Sequence, residues 1–250
     1  MYISVFAIFC SILALSAVLL LWRKLGRIGR DVWAIDLRIG DLLKNEFRQS
    51  EALYALNQIL RPQYPLPPTR SWAGSPDFLF AIAQYAMENR PANILECSCG
   101  TSTVVLARCA QLNSHGHIYS LESDPKFAEI TRQELCRHGL ESFATILYAP
   151  LTQHDIDDVI RQWYSLDTLP DFPIDMLVID GPPSISDPLA RFPAGPMLIG
   201  RMTKGGAIFL DDADRLGERE IVSRWQESFP TIDIEQLRCE KGLIRISIPI

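Results

Sequence analysis

Apolar residues follow three regimes along the chain. From Tyr2 to Trp22 there is no charge, and the serines Ser4, Ser11 and Ser16 interrupt a run of Ile, Leu, Val, Phe and Ala. About 20 such residues at 1.5 Å rise cover the roughly 30 Å hydrocarbon core of a bilayer, so the pattern predicts a transmembrane helix over 1–22. The bases Arg23, Lys24, Arg27 and Arg30 follow it. By the positive-inside rule they place the N-terminus outside and the rest of the chain in the cytoplasm, which predicts a single-pass protein of the inner (cytoplasmic) membrane. A cleaved signal would carry its positive charge before the apolar run and small residues after it, where WRKLGR stands.

In the second regime, positions 28, 32, 35, 39, 42, 46, 49, 53, 56 and 60 alternate by four and three, the spacing of a coiled-coil seam. The polar exceptions, Glu46 and Gln49, either specify register between two chains or mark where the helix stops being a seam. A long juxtamembrane helix is predicted over 23–61. It either forms a homodimer through residues 28–60 or packs on its own domain. The prolines of PQYPLPPT then make 62–70 a stiff extended linker.

In the third regime, 71–250, short apolar runs alternate with amphipathic stretches, the order of βαβ units around a parallel sheet. Ser75–Pro76 and Asp124–Pro125 each offer a helix cap followed by proline at the first helical position. Strands are predicted at 93–97, 117–122, 144–149, 174–179 and 207–210. IDIEQLR and LIRISI flank CEKG as a terminal antiparallel hairpin, and further helices are predicted near 102–111, 155–164 and 219–228.

Composition narrows the function classes. Thirty acids against 24 bases, a net charge of -6, argue against a nucleic-acid partner. Six cysteines show neither paired metal-ligand spacing nor the density of a disulfide scaffold.

The first strand and its turn, ILECSCGTSTVVLA, together with five alternating strands and the hairpin, resemble the class I S-adenosylmethionine-dependent methyltransferases over about Ser71 to Ile250. A group of uncharacterised bacterial methyltransferases with WAxSPD, DGPP and LDDA-x-R segments is closer still, matched by Trp72 to Asp77, Asp180 to Pro183 and Leu210 to Arg215. The resemblance implies a Rossmann-like α/β fold, a seven-stranded mostly parallel sheet with the C-terminal hairpin, and S-adenosylmethionine as cofactor. Ser98 replaces the first glycine of the family's donor loop.

Several residues then acquire expected roles. A carboxylate at Glu96 accepts hydrogen bonds from the loop or binds the donor through water, and Gly100 lets backbone approach ligand. Ser98, Thr101, Ser102 and Thr103 line the start of the next helix with amides and hydroxyls. Glu122 ends the second strand, 22 residues after Gly100, where nucleotide-binding α/β folds place an acid on the ribose diol. The resemblance puts an adenine edge at Ala149 and Leu151.

Asp180, Asp211 and Asp212 end successive strands and should share one crevice, where like charges require a cation or a proton between them. Catechol- and caffeoyl-type O-methyltransferases carry a metal-binding Asp and Asp–Asn pair at matching places. This implies Mg2+ held by Asp180, Asp211 and Asp212, with Asp180 and Asp212 as catalytic residues. Those enzymes' lysine is Pro183 here, so their acid–base scheme does not transfer. Asp187, Arg191, Asp214 and Arg215 either address the acceptor or form ion pairs on a solvated face. Trp72 and Phe78 either close over the donor or pack in the core, and His154 is a weak candidate base.

Together these readings predict O-methylation of a small-molecule or lipid-linked acceptor, such as a surface-polysaccharide precursor, at the membrane. A non-catalytic membrane scaffold that keeps the fold is the alternative.

Overall fold

The computed structural model describes residues 2–183 and 187–250, with side chains omitted at 2–10 and 12. Two compact units divide at Arg48 and Gln49. The first is the N-terminal part of helix α1, Tyr2–Leu60. Along it Ile28, Val32, Ile35, Ile39 and Leu42 are all about half exposed or more, at 48%, 59%, 56%, 49% and 63%.

The expected transmembrane anchor is corrected here. Among the described residues no helix is long and apolar enough to cross a membrane. The apolar stretch whose side chains are described, Leu13 to Trp22, spans about 15 Å, half of a hydrocarbon core. Arg23, Lys24 and Arg27 follow it directly. The single-pass, N-out placement in the inner membrane falls with the anchor. The part of that expectation that rests on the side chains of 1–10, Ser4 and Cys10 included, lies outside the described residues.

The second unit, Gln49–Ile250, is built on a seven-stranded sheet. Its strands are β1 (Asn93–Cys97), β2 (His117–Glu122), β3 (Ala144–Tyr148), β6 (Ile174–Ile179), β7 (Met202–Asp211), β8 (Asp233–Leu237) and β9 (Leu243–Ser247), in the order β3-β2-β1-β6-β7-β9-β8. The first five are mutually parallel, and the terminal hairpin joins β7 antiparallel through β9. This is the predicted Rossmann-like sheet. Apolar runs such as IDMLVI are buried on both faces because helices cover both sides.

Helices α2 (Pro76–Asn89), α3 (Thr101–Asn113) and α4 (Pro125–His138) share one core with Ile94, Met176 and Phe209. The last turns of α1 join that core through Leu56 and Leu60, both fully buried. Gln49 exchanges two hydrogen bonds with the buried Asp77, at 2.7 and 3.2 Å. The heptad pattern is therefore split at its polar positions: its end packs on its own domain, while 28–42 stays exposed. On the other face, the short helix α5 (Ala194–Leu198) and α6 (Leu216–Ser228) bury Trp225 and Ile221 against β6 and β7.

Local signals explain the element ends. Asp124 accepts a hydrogen bond from the Lys126 amide at 2.8 Å, Pro125 opens α4, and Gly139 closes it at φ 64°. One element differs from expectation. The stretch predicted as a helix near 155–164 is a hairpin, β4 (Leu151–Ile156) and β5 (Val159–Tyr164). Ile156, Val159, Ile160 and Trp163 have helical spacing. However, Asp157 and Asp158 both adopt left-handed backbone, at φ 54° and 62°. A pair of positive φ angles makes the two-residue turn that matches strand twist, and short acidic side chains tolerate it. The crossover from β3 to β6 thus runs through a hairpin in place of a helix.

Candidate active site

The carboxyl ends of β1, β2, β6 and β7 lie side by side, and each ends in a carboxylate. Glu96, on β1, is fully buried. Its Oε2 accepts hydrogen bonds from Thr103 Oγ1 at 2.5 Å and Ser120 Oγ at 2.6 Å, while Oε1 has no hydrogen-bond partner among the described residues. Burial raises its pKa, opposed by hydrogen bonds from Ser102, Ser120 and Thr103. Glu96 therefore braces the first turn of α3 against β1 and β2. Thr103 Oγ1 also accepts from the Gly100 amide at 3.0 Å, and Thr101 Oγ1 donates to the Pro68 carbonyl at 3.0 Å. The hydroxyls of Thr101 and Thr103 are thus engaged within the protein, leaving the helix N-terminus itself as a polar feature for a ligand.

Gly100 sits at φ 158°, ψ -135°, and a Cβ placed there would meet no protein atom within 4 Å. The loop leaves open space in front of it, as a donor cradle requires. Ser98, at the family's glycine position, adopts φ 83°, which glycine takes without steric cost and serine does not. Its hydroxyl lies 3.4 Å from Glu122 Oε2.

Glu122 is 5% exposed. Oε2 accepts from the Cys99 amide at 3.1 Å and Oε1 from the Asp124 amide at 2.8 Å. Backbone thus aims the carboxylate at the end of β2, with lone pairs left for a diol. Ala149 is buried with its amide on the Glu122 carbonyl at 2.8 Å. Leu151 opens β4, 38% exposed.

The second half of the edge is a cluster of acids. Asp180, Asp211 and Asp212 each offer a carboxylate oxygen within 4.8 Å of the others. Asp211 is fully buried, and neither of its oxygens has a hydrogen-bond partner among the described residues. Burial, then the charges of Asp180 and Asp212, push its pKa up to about 8. Burial likewise raises Asp180 to about 6, opposed by Arg191 and reinforced by Asp212. Asp212 takes φ 60°, a conformation that Asp and Asn tolerate better than most residues. This accounts for acid and amide both serving at that position.

Arg191 organises this cluster, and that role differs from the acceptor contact considered for it. Its guanidinium is buried and donates to the carbonyls of Asp211 and Asp180 at 2.8 and 2.9 Å, and to Asp212 Oδ2 at 2.7 Å. It also lies 3.4 Å from Asp180 Oδ1 and 3.8 Å from the buried Glu218. Arg215, half exposed, adds 2.9 Å to Asp212 and 3.8 Å to Glu218. Three carboxylates, Asp180, Asp212 and Glu218, thus face two guanidinium groups, while the Asp211 carboxylate beside them pairs with neither. The buried, unpartnered Asp211 oxygens and the mutual spacing fit a hard oxygen-ligated ion such as Mg2+.

Glu218 and Tyr164 were not singled out from the sequence. Tyr164 is buried, and its hydroxyl would stand 2.6 Å from a Cβ on Gly181, with the Ser98 Cβ at 2.7 Å from the same point. Gly181 lets β1, β5 and β6 converge. Other candidates are placed elsewhere. Phe78 is fully buried in the core, so it is no lid, while Trp72 is 77% exposed. Asp187 pairs with Arg161 at 3.4 Å and Asp214 with Arg219 at 3.5 Å. His154 lies on the hairpin, bonded to Thr152 at 3.0 Å.

Comparisons with known proteins agree with this fold. Residues 95–213 match a family described as "Methyltransferase domain". No curated protein sequence matches the chain. Among solved structures, cofactor-bound Rv0187 from MTB superposes with a TM-score of 0.55 at 21% identity, covering 80% of this chain and 88% of that one. SAH-bound methyltransferase PaMTH1 of Podospora anserina gives 0.56 at 16%, covering 80% and 88%. An O-methyltransferase of Bacillus cereus in complex with SAH gives 0.53 at 20%, covering 79% and 90%.

Proposed function

We propose that this chain, whose residues 95–213 match a methyltransferase-domain family and whose fold is that of the solved methyltransferases, transfers a methyl group from S-adenosylmethionine to a hydroxyl oxygen of a small sugar-containing acceptor, such as a surface-polysaccharide precursor. The observation that carries the oxygen-directed reading is the trio Asp180, Asp211 and Asp212 beside the Gly100 cradle, with Asp211 buried and unpartnered. The donor is S-adenosylmethionine, the ligand class of the neighbours described as SAH- or SAM-bound. Glu122 holds its ribose hydroxyls, the Gly100–Thr101 turn meets its methionyl part, and Ala149 leaves room for the adenine.

Methyl transfer is an in-line displacement at the sulfonium carbon, so catalysis consists of positioning and removal of the acceptor proton. Asp180, Asp211 and Asp212 would hold a divalent cation, which when bound lowers the pKa of a hydroxyl beside it. Asp180 is the least buried of the three, its side chain 16% exposed, and is the carboxylate placed to accept the acceptor proton. Arg191 keeps Asp180 and Asp212 fixed relative to one another. A scaffold without chemistry would gain nothing from the Asp211 carboxylate, whose burial without a partner costs stability.

The exposed seam from Ile28 to Leu42 supports a second proposal from the same sequence pattern, pairing with another copy of this chain. Cross-linking the full chain tests it: a strictly monomeric chain rules it out. The methyl-transfer reading is tested by acceptor-dependent SAH formation from S-adenosylmethionine with and without excess EDTA. Turnover that EDTA abolishes and Mg2+ restores is expected. Full turnover in EDTA removes the metal, and its absence with every hydroxylated acceptor removes the reaction.

A further inference from the structure

Residues 68–74 belong to no helix or strand, yet they are fastened at both ends to the edge that carries the site. At one end, Thr101 Oγ1 donates to the Pro68 carbonyl and so ties the segment to the first turn of α3. At the other, Arg70 donates to Glu240 from Nε at 3.1 Å and Nη2 at 2.5 Å. Lys241 Nζ donates to the carbonyls of Ser71 at 3.0 Å and Ala73 at 3.3 Å. The β8–β9 loop that supplies Glu240 and Lys241 is itself joined to the acid cluster: the Ala213 amide donates to the Gly242 carbonyl at 3.1 Å, and the Asp214 amide to the Lys241 carbonyl at 3.0 Å. The turn is also conformationally costly, with Arg70 at φ 72° and Ser71 at φ 61°.

At its tip stands Trp72, 77% exposed, whereas Trp163 and Trp225 in the same unit are fully buried. A large apolar ring held in water on a strained, multiply bonded turn has little conformational entropy left to lose on meeting a ligand, which is what a preorganised contact requires. The β4–β5 hairpin offers polar side chains. Cross-strand register places Gln153 and Gln162 on the face of the β4–β5 hairpin that also carries Tyr164, whose hydroxyl reaches the Gly181 turn. Both glutamines are exposed. An apolar ring on the strap, amides on the hairpin and carboxylates at the strand ends together supply what the two kinds of surface on a pyranose call for: its C–H face and its hydroxyls. A purely aromatic acceptor would need only the first.

We infer that the 68–74 strap is the acceptor wall of the site and that Trp72 is its platform, stacking on the C–H face of a hexopyranose whose hydroxyl is presented to Asp180. The inference rests on the methyl-transfer reading and specifies its substrate class.

The test uses the full chain labelled with 5-fluorotryptophan and saturated with SAH, with the Trp72 fluorine resonance assigned from W72F. The probes are methyl α-glycosides of glucose, mannose and rhamnose in one arm and 3,4-dihydroxybenzoate in the other. The expected result is a saturable shift of the Trp72 line with at least one glycoside, the Trp163 and Trp225 lines staying in place. W72A is expected to weaken glycoside binding about tenfold, the scale of one aromatic stacking contact, and to leave SAH affinity within about twofold. SAH binding with a Trp72 line unmoved by every glycoside overturns the platform alone, as does a shift confined to dihydroxybenzoate. Failure of SAH to bind the wild-type chain overturns the donor reading and the platform together.

Discussion

The two halves of the sheet edge handle buried carboxylates in opposite ways. On β1 and β2, Glu96 and Glu122 are each fixed by donors from their own surroundings: hydroxyls of Thr103 and Ser120 for one, amides of Cys99 and Asp124 for the other. On β6 and β7, Asp180, Asp211 and Asp212 are crowded within reach of one ion, and Asp211 has no hydrogen-bond partner among the described residues. The β1–β2 half, where we propose that the donor binds, is thus fixed by the protein's own hydrogen bonds. The acid half is held together by Arg191 in a state that still calls for a cation or a proton.

Breaking the acid half at its organiser should have the largest effect. R191M leaves Asp180, Asp212 and Glu218 facing one another without the buried guanidinium, and a loss of about 3–5 kcal/mol of stability is expected from urea unfolding. A loss below about 1 kcal/mol, the scale of an exposed pair, would mean that the cluster is more solvated than the structure shows. On the β1–β2 half, E122A removes the proposed diol acceptor and should weaken S-adenosylmethionine binding about 100-fold by calorimetry, with the fold intact by circular dichroism.

Titration sharpens the same contrast. The Asp211 pKa is raised in the folded state, so its protonated form contributes stability that is complete below the unfolded value of about 4 and lost as pH rises towards 8. In EDTA the full chain should therefore melt at progressively lower temperature as pH rises. Asp180, raised to about 6, adds to the loss below that pH, and Asp211 carries it from there to about 8, a range in which the slope approaches ~1.4 kcal/mol per pH unit as its limit. D211N should flatten that slope, and Mg2+ should raise the wild-type melting temperature at pH 8 more than that of D211N. A slope unchanged in D211N would assign the titration to another group. The smallest effect belongs to the donor loop: S98G releases serine from φ 83° and should add about 1 kcal/mol. The gain would be absent if the 3.4 Å contact of Ser98 with Glu122 compensates.

The sheet was legible because its signals are local: apolar runs for buried strands, Ser–Pro and Asp–Pro caps, and Gly242 at φ 77° in the hairpin loop. So were the strand-end acids, since a strand end in this topology is also a place in the crevice. What depended on distant contacts was hidden. The hairpin at 151–164 was mistaken for a helix because its apolar spacing fits both, and only the left-handed pair Asp157 and Asp158 decides between them. Arg191 lies in a segment that resembles any solvated loop until folding brings β6, β7 and α6 around it. Glu218 looks like an ordinary acid in the first turn of a helix. The long apolar start of the chain suggests a membrane anchor, while among the described residues no helix is long and apolar enough to cross a membrane.

The division into a finished donor half and a cation-requiring acid half is tested most directly by titrating the full chain with S-adenosylmethionine in excess EDTA, with NAD as the control ligand. Micromolar binding of S-adenosylmethionine without metal, and none of NAD, is the expected result. A folded chain that binds S-adenosylmethionine only after Mg2+ is added, or not at all, would contradict it.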